Sequence, residues 1–256
     1  MPDGRSIFRS PSTSRWDRQL PSTADGVRIY AIGDVHGRAD LLAAVLARID
    51  DDLDRRPVHR SIEVFVGDYI DRGPASREVL DILLARARSR ETVFLKGNHE
   101  TYVDDFLHDP AMLADWRSFG GFETLMSYGI VPSLNPNPEE QIELAARFER
   151  VLPMAHRQWL GGLQTSFMCG DYFFVHAGVR PGVPLEDQCD SDLLLIREDF
   201  LECTDDFSKV VIHGHTPVPQ LDVRANRINI DTGAYATGRL TCLILEGPQM
   251  HRLRLG

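Results

Sequence analysis

An α/β fold with two sheets is predicted by three features of the chain. Strand-length apolar runs alternate with amphipathic helical stretches through the first hundred residues, strand-like runs return in the last third, and several of these runs stop at a glycine followed by a polar, ligand-type residue. At 256 residues the length favours one main core over two independent domains. Residues 1–26 are rich in Ser, Pro, Thr and Arg and poor in apolar side chains, which predicts a disordered tail ahead of a folded domain over 27–256. Asp3, Asp17 and the prolines of this stretch disfavour a transit peptide.

From Val27 the pattern changes. Val27–Ile32 reads as a strand, and Asp40–Leu53 as a helix with Asp40 at its N-cap and apolar residues at Leu42, Val45, Leu46 and Ile49. Ile62–Val66 is a second strand. Ser76 is placed to cap the next helix, which carries Val79, Ile82 and Leu83 on one face, and Thr92–Leu95 is a third strand. Strand, helix, strand, helix, strand at this spacing implies right-handed crossovers and a parallel sheet. Residues from about 101 to 164 form a mainly helical insert, in which Asn137, Pro138 and Glu140 match an N-cap, a first-turn proline and an N3 acid. Strands return at Tyr172–Val175, Val210–Ile212, Ile228–Ile230 and Leu240–Leu245, giving a second sheet packed on the first.

The strand ends carry the chemistry. "YAIGDVHG", "VFVGDYIDRG" and "VFLKGNHE" each run an apolar strand into a glycine and then Asp34, Asp68 or Asn98. Parallel strands present their carboxyl ends on one edge, so the three residues can converge there. His36 follows Asp34 by two positions, His176 ends "FFVH", and His213 and His215 end "VIHGH". One Gly-Asp pair is ordinary turn chemistry. Five polar strand ends have no structural reason to coincide, and carboxylates, an amide oxygen and imidazoles together suit hard or borderline divalent cations. His213 lies inside an apolar run and is expected to be a packed histidine rather than a ligand.

"GDVHG" (33–37), "GDYIDRG" (67–73), "GNHE" (97–100), "HAG" (176–178) and "GHT" (214–216) resemble, in order, the signature set of the phosphoprotein phosphatase branch of the calcineurin-like metallophosphoesterases, and "GGFETLMSYG" (120–129) resembles its bacterial members. The resemblance implies an αββα sandwich with a dinuclear centre between the sheets. By motif position, Asp34 and His36 would hold the first metal, Asp68 would bridge, and Asn98, His176 and His215 would complete the second. Two ions roughly 3.5–4 Å apart lower the pKa of a bound water from about 15.7 toward about 7, and the resemblance implies that this hydroxide attacks phosphorus in line. Manganese is the expected ion, with iron or zinc also suited to the donors.

The same resemblance makes Arg72 and Arg197 the guanidinium pair that grips phosphate oxygens. It makes His99 the general acid, oriented by Asp71. Glu100 is expected only to open the following helix, where a carboxylate favours the dipole. The "SAPNYCG" loop of eukaryotic members is absent; "IDTGAYATG" (230–238) stands in its place and puts Tyr235 at the border of the site.

The function implied is a metal-dependent phosphomonoesterase acting on phosphoserine and phosphothreonine in a protein or peptide. The alternative is a dinucleoside polyphosphate (diadenosine tetraphosphate) hydrolase, which shares fold and metal centre. A non-catalytic phosphate-binding scaffold would lack a ligand or the acid, and none is missing. The net charge of −10 and the absence of a basic stripe argue against a nucleic-acid partner. With no apolar run of about 18 residues and no secretory signal, no membrane partner and a cytoplasmic location are expected. Cys169, Cys189, Cys203 and Cys242 lie in no metal-type spacing and read as reduced packing residues.

Overall fold

The computed structural model describes residues 20–253. In chain order, β1 (Val27–Ile32), α1 (Ala39–Arg55), β2 (Arg60–Phe65), α2 (Ser76–Arg86) and β3 (Thr92–Phe94) form the parallel unit. Helices α3 (Asn98–His108), α4 (Leu113–Trp116), α5 (Gly121–Ser127), α6 (Pro138–Val151) and α7 (Met154–Gly161) follow, with short 3-10 turns between them. The second sheet begins with β4 (Ser166–Cys169) and β5 (Tyr172–Val175). Two short helices, α8 (Asp190–Leu195) and α9 (Glu198–Leu201), precede β6 (Val210–His213), β7 (Asp222–Val223) and β8 (Arg227–Asn229). After α10 (Ala234–Thr237), β9 (Cys242–Glu246) and β10 (Gln249–Arg252) return to the first sheet, so the strand expected over Leu240–Leu245 pairs with β1 and not with the second sheet to which the sequence pattern assigns it.

The two five-stranded sheets run β10-β9-β1-β2-β3 and β4-β5-β6-β8-β7. Each has three parallel strands at its heart and is mixed: β9 joins β1 antiparallel, and β4 and β7 are antiparallel edges. The two-residue side-chain period of a strand sorts the core into layers. Ile29 and Ala31 of β1 pack with Tyr172 and Phe174 of β5 between the sheets, whereas Tyr30 and Ile32 face the layer of α1, α2 and the insert. Phe173 and Val175 face outward onto Leu193 of α8, Phe200 of α9 and Ile196 between them. The order helix, sheet, sheet, helix is therefore written in alternate residues of single strands, and it aims the carboxyl ends of β1, β2, β3, β5 and β6 at one region.

Local chemistry departs from the sequence expectation at two helix starts. Asp40 lies inside the first turn of α1, where Arg38 holds its carboxylate at 2.6 and 2.8 Å, so it caps no helix. Ser76 is likewise inside α2, and its hydroxyl accepts the Asp71 N–H at 3.1 Å. At α6 the reciprocal cap is made as expected: Asn137 Oδ1 accepts from Glu140 N at 3.0 Å while Glu140 accepts from Asn137 N at 2.8 Å.

Of the expected tail, residues 1–19 lie outside the described residues. Within 20–26, Pro21–Thr23 are held by both sheets: Pro21 O accepts the Tyr172 hydroxyl, Ser22 N donates to Asp171, and buried Thr23 donates to Val27 O at 2.8 Å. Among the described residues no helix is long and apolar enough to cross a membrane.

Candidate metal centre

Asp34 follows β1, Asp68 follows β2, Asn98 opens α3 after β3, His176 follows β5 and His215 follows β6. The tight turns that bring them together strain the backbone. Of six non-glycine residues with positive φ among the described residues, five belong to this cluster: His36 (45°), Asp68 (52°), Asp71 (69°), Arg72 (65°) and His215 (65°). Such conformations cost of order 1–3 kcal/mol each and persist where the surroundings over-determine them. The glycines allow close approach: a Cβ on Gly214 would run into the Asp34 carboxylate, and one on Gly97 into that of Asp68.

Two sets of ligand-type atoms share Asp68. His36 Nε2 lies 3.4 Å from Asp68 Oδ2, and His99 Nε2 completes that set at 3.8 Å. On the other side His176 Nε2 is 3.4 Å from Asp68 Oδ1, and Asn98 Oδ1 lies 3.0 Å from His176 Nε2 and 2.9 Å from His215 Nδ1. Carbonyls fix two tautomers. Ile70 O and Val66 O can only accept, so Nδ1 of His36 and of His176 donates to them at 2.9 Å, which leaves each Nε2 lone pair facing Asp68.

Burial keeps these imidazoles neutral, with His36 lowered to about 3, His215 to about 2, and His176 lowered as well. Asp34 is pushed well above the ordinary range by burial and then by the Asp231 and Asp68 carboxylates. Its Oδ2 accepts the His215 N–H at 3.0 Å, but its buried Oδ1 has no hydrogen-bond partner. Crowded carboxylates, an orphaned carboxylate oxygen and outward-facing lone pairs are relieved by divalent cations, so the donor set fits two ions sharing Asp68.

Beside this cluster His99 Nδ1 is 2.7 Å from Asp71 Oδ2. Asp71 is fully buried and also accepts from Trp116 Nε1 at 2.9 Å and Thr124 Oγ1 at 2.6 Å. Burial disfavours the His99 imidazolium, but Asp68 and Asp71 outweigh it and raise the pKa above the ordinary value. Arg72 Nη2 lies 3.3 Å from His99 Nε2; a guanidinium can only donate, so Nε2 accepts in this contact and Arg72 opposes the imidazolium that Asp68 and Asp71 favour. Exposed Arg197 donates to Thr216 Oγ1 at 3.1 Å, one residue from His215. Tyr235 borders the site, edge-on to His36 at 5.3 Å and beneath the Arg72 guanidinium at 4.6 Å. His213 lies apart: its ring meets Phe200 at 4.9 Å on the outer face of the second sheet, and burial lowers its pKa to about 3.

Three residues escaped the sequence reading, and a fourth, Glu100, was given too small a role. Trp116 and Thr124 hold Asp71 from the helical insert. Buried Asp231, raised to about 6 chiefly by burial, faces Asp34 and accepts the Gly233 N–H. Glu100 does far more than open α3, because its carboxylate accepts the N–H groups of Gly97 (2.8 Å), Asp68 (3.0 Å) and Tyr69 (2.8 Å), clamping two ligand loops. Its place as an acid three residues after the glycine that precedes α3 was the available signal. Glu100→Gln turns one acceptor oxygen into an amide facing backbone N–H groups. It is expected to lower unfolding stability by about 1–3 kcal/mol, the cost of a buried donor left unsatisfied, measured by denaturant unfolding at fixed metal.

Two mixed sheets between helices, with imidazoles and carboxylates gathered at the strand ends, define a metal-dependent phosphoesterase. The family model of calcineurin-like phosphoesterases matches residues 27–243, and the chain belongs to that family. It is 28% identical over 235 residues to the asymmetrical bis(5'-nucleosyl)-tetraphosphatase PrpE of Halalkalibacterium halodurans, a match spanning 83% of this chain and 87% of the relative. Two solved structures share the fold. One, provisionally described as a diadenosine tetraphosphatase, has a TM-score of 0.59 at 17% identity and covers 91% of this chain and 97% of its own. The other, a cold-active protein-tyrosine phosphatase from a psychrophilic Shewanella, has a TM-score of 0.54 at 16% identity, covering 91% and 83%.

Proposed function

We propose that the protein hydrolyses dinucleoside tetraphosphates. The observation that carries this reading is the likeness to an asymmetrical bis(5'-nucleosyl)-tetraphosphatase, which extends through the helical insert rather than stopping at the motifs around the metal centre. It replaces the phosphoserine and phosphothreonine substrate expected from "GDYIDRG" and "GNHE" with the alternative weighed beside it.

In this reading Asp34, His36 and Asp68 hold one divalent ion and Asp68, Asn98, His176 and His215 the other. When bound, the ions supply a water of lowered pKa and neutralise charge on phosphate oxygens. The remaining steps fall to the chain's own side chains. Arg72 and Arg197 orient the phosphate by planar, charge-assisted hydrogen bonds. His99 delivers a proton from Nε2 to the departing oxygen, and Asp71 stabilises the imidazolium and fixes its ring. Trp116 and Thr124 in turn keep the Asp71 carboxylate from rotating.

A second reading, a phosphoprotein phosphatase, is favoured by the His99–Asp71 pair itself, since a proton donor raised above its ordinary pKa is most useful against an alkoxide leaving group. The two are separated by comparing kcat/KM for diadenosine tetraphosphate, a phosphoserine peptide and a phosphotyrosine peptide with saturating Mn²⁺. The nucleotide is expected to be preferred by more than about a hundredfold, roughly 2.7 kcal/mol of transition-state stabilisation. A peptide preferred by the same factor would reverse the assignment.

A further inference from the structure

The mouth of the site carries flat apolar surface that phosphate chemistry does not need. Phe119 is 42% exposed, although a large aromatic side chain is ordinarily drawn inward. One face of its ring is covered by the half-buried Tyr102, whose ring is stacked on it at 5.5 Å and 26°. Its orientation to His99 is edge-on, with centroids 6.0 Å apart.

The ring is also tied to the phosphate side. The next residue, Gly120, has φ of 96° and packs so closely on Arg72 that a Cβ there would strike the Arg72 backbone nitrogen. Gly120 O faces that same N–H at 3.4 Å. Arg117, two residues before Phe119, is fastened to Leu134 O and Asn135 Oδ1 at 3.0 Å. Phe119 is therefore held beside both Arg72 and His99, one face backed by Tyr102.

We propose that the Phe119–Tyr102 stack is a nucleobase shelf, on which the base of a nucleotide lies while its phosphate occupies the candidate metal centre beside Arg72. The inference rests on the dinucleotide reading and deepens it, because it names the residue that favours nucleotides over base-free phosphate esters. Every base presents a π-face, so such a shelf accepts different bases with little discrimination. The expected advantage is about 5- to 150-fold, the fold-change that corresponds to roughly 1–3 kcal/mol for stacking one base on an aromatic side chain. Tyr102 makes the shelf rigid, which reduces what is lost on ordering the complex.

The test compares AMP with ribose 5-phosphate, which carry the same phosphate and sugar and differ by the base. Each competes against glycerol 2-phosphate, which has no ring, and glycerol release is followed at fixed free Mn²⁺. The ratio of the two inhibition constants within one protein cancels changes to the phosphate grip. In the native chain AMP is expected to inhibit at least about fivefold more tightly. Phe119→Ala is expected to bring the ratio close to one, and Phe119→Trp to keep or enlarge it. Equal inhibition in the native chain, or an AMP advantage that survives Phe119→Ala, overturns the shelf.

Diadenosine tetraphosphate turnover measured alongside separates the two ideas. If AMP's advantage depends on Phe119 but the dinucleotide is not cleaved, the shelf stands and the substrate reading falls. If the dinucleotide is cleaved and AMP's advantage ignores Phe119, the reverse holds.

Discussion

Asp68→Asn is expected to remove bound metal from both positions and to lower turnover by more than about 10³-fold, beyond the 10²–10³ lost when a single charge-stabilising donor is deleted. The reason is geometric, since Asp68 is the one residue present in both sets of ligand-type atoms. Its Oδ2 serves the His36 side and its Oδ1 the His176 side. An amide offers a single neutral oxygen in place of two charged ones and therefore cannot serve both. The substitution is also a clean one, because Asp68 has φ of 52° and asparagine tolerates that conformation better than other residues. His176→Ala removes a side chain that belongs to one set only, and it is expected to weaken one ion and retain the other. Elemental analysis after gel filtration distinguishes the two variants. Two ions retained by Asp68→Asn would exclude a shared carboxylate.

The difference between what the sequence disclosed and what it hid follows from the range of the interactions. Asp34, Asp68 and Asn98 were legible because each stands directly after a strand and a glycine, so that local pattern and parallel topology together place them. Most strands were legible for the same local reason, but the αββα layering came only with the family resemblance, and Leu240–Leu245 was assigned to the wrong sheet. Trp116 and Thr124 were not, because they meet Asp71 across 45 and 53 residues of chain and nothing in "DWRSFGGFET" marks a hydrogen bond to another loop. Glu100 was half legible: its place at the start of α3 was read, but its carboxylate takes the Gly97 N–H and also two N–H groups from the Asp68 loop, which only the folded chain brings near.

Ser76 shows how a local rule can lose to a tertiary one. Its hydroxyl would satisfy a helix start, yet it turns to the buried Asp71 N–H, which it shares with Thr124 Oγ1, and α2 begins at Ser76 itself. Strands β4, β7 and β10 were missed for a different reason. They are short edge strands of two to four residues with half-solvated faces, too brief for a period to register.

His99→Asn is expected to keep both metals and to lose rate in proportion to how much the leaving group needs a proton. A serine alkoxide must be protonated as it departs, so a phosphoserine peptide should lose about 10² to 10⁴ in rate. Nitrophenolate leaves without help, and its ester should be impaired much less. Diadenosine tetraphosphate expels a phosphate oxygen, whose last proton is lost near pH 6 in a phosphate monoester. Its loss should therefore lie near that of the aryl ester.

Asp71→Asn should follow the same order more weakly, because it acts on the leaving group through the 2.7 Å contact to His99 Nδ1. The contact to Asp71 adds a pH signature. It holds a proton on His99, so the alkyl ester rate should fall as pH rises through the His99 pKa of the metal-loaded enzyme, and the fall should vanish in His99→Asn. Asn98→Ala is the control in the neighbouring residue, expected to lose metal affinity on every substrate alike.

Single-turnover rates at saturating metal keep binding and product release out of the comparison. Because His99 Nε2 also lies 3.8 Å from Asp68 Oδ2, the metal count decides between two roles. Loss of an ion from His99→Asn would make His99 a ligand, whereas equal rate losses on all three leaving groups with both ions retained would make it a phosphate-positioning residue.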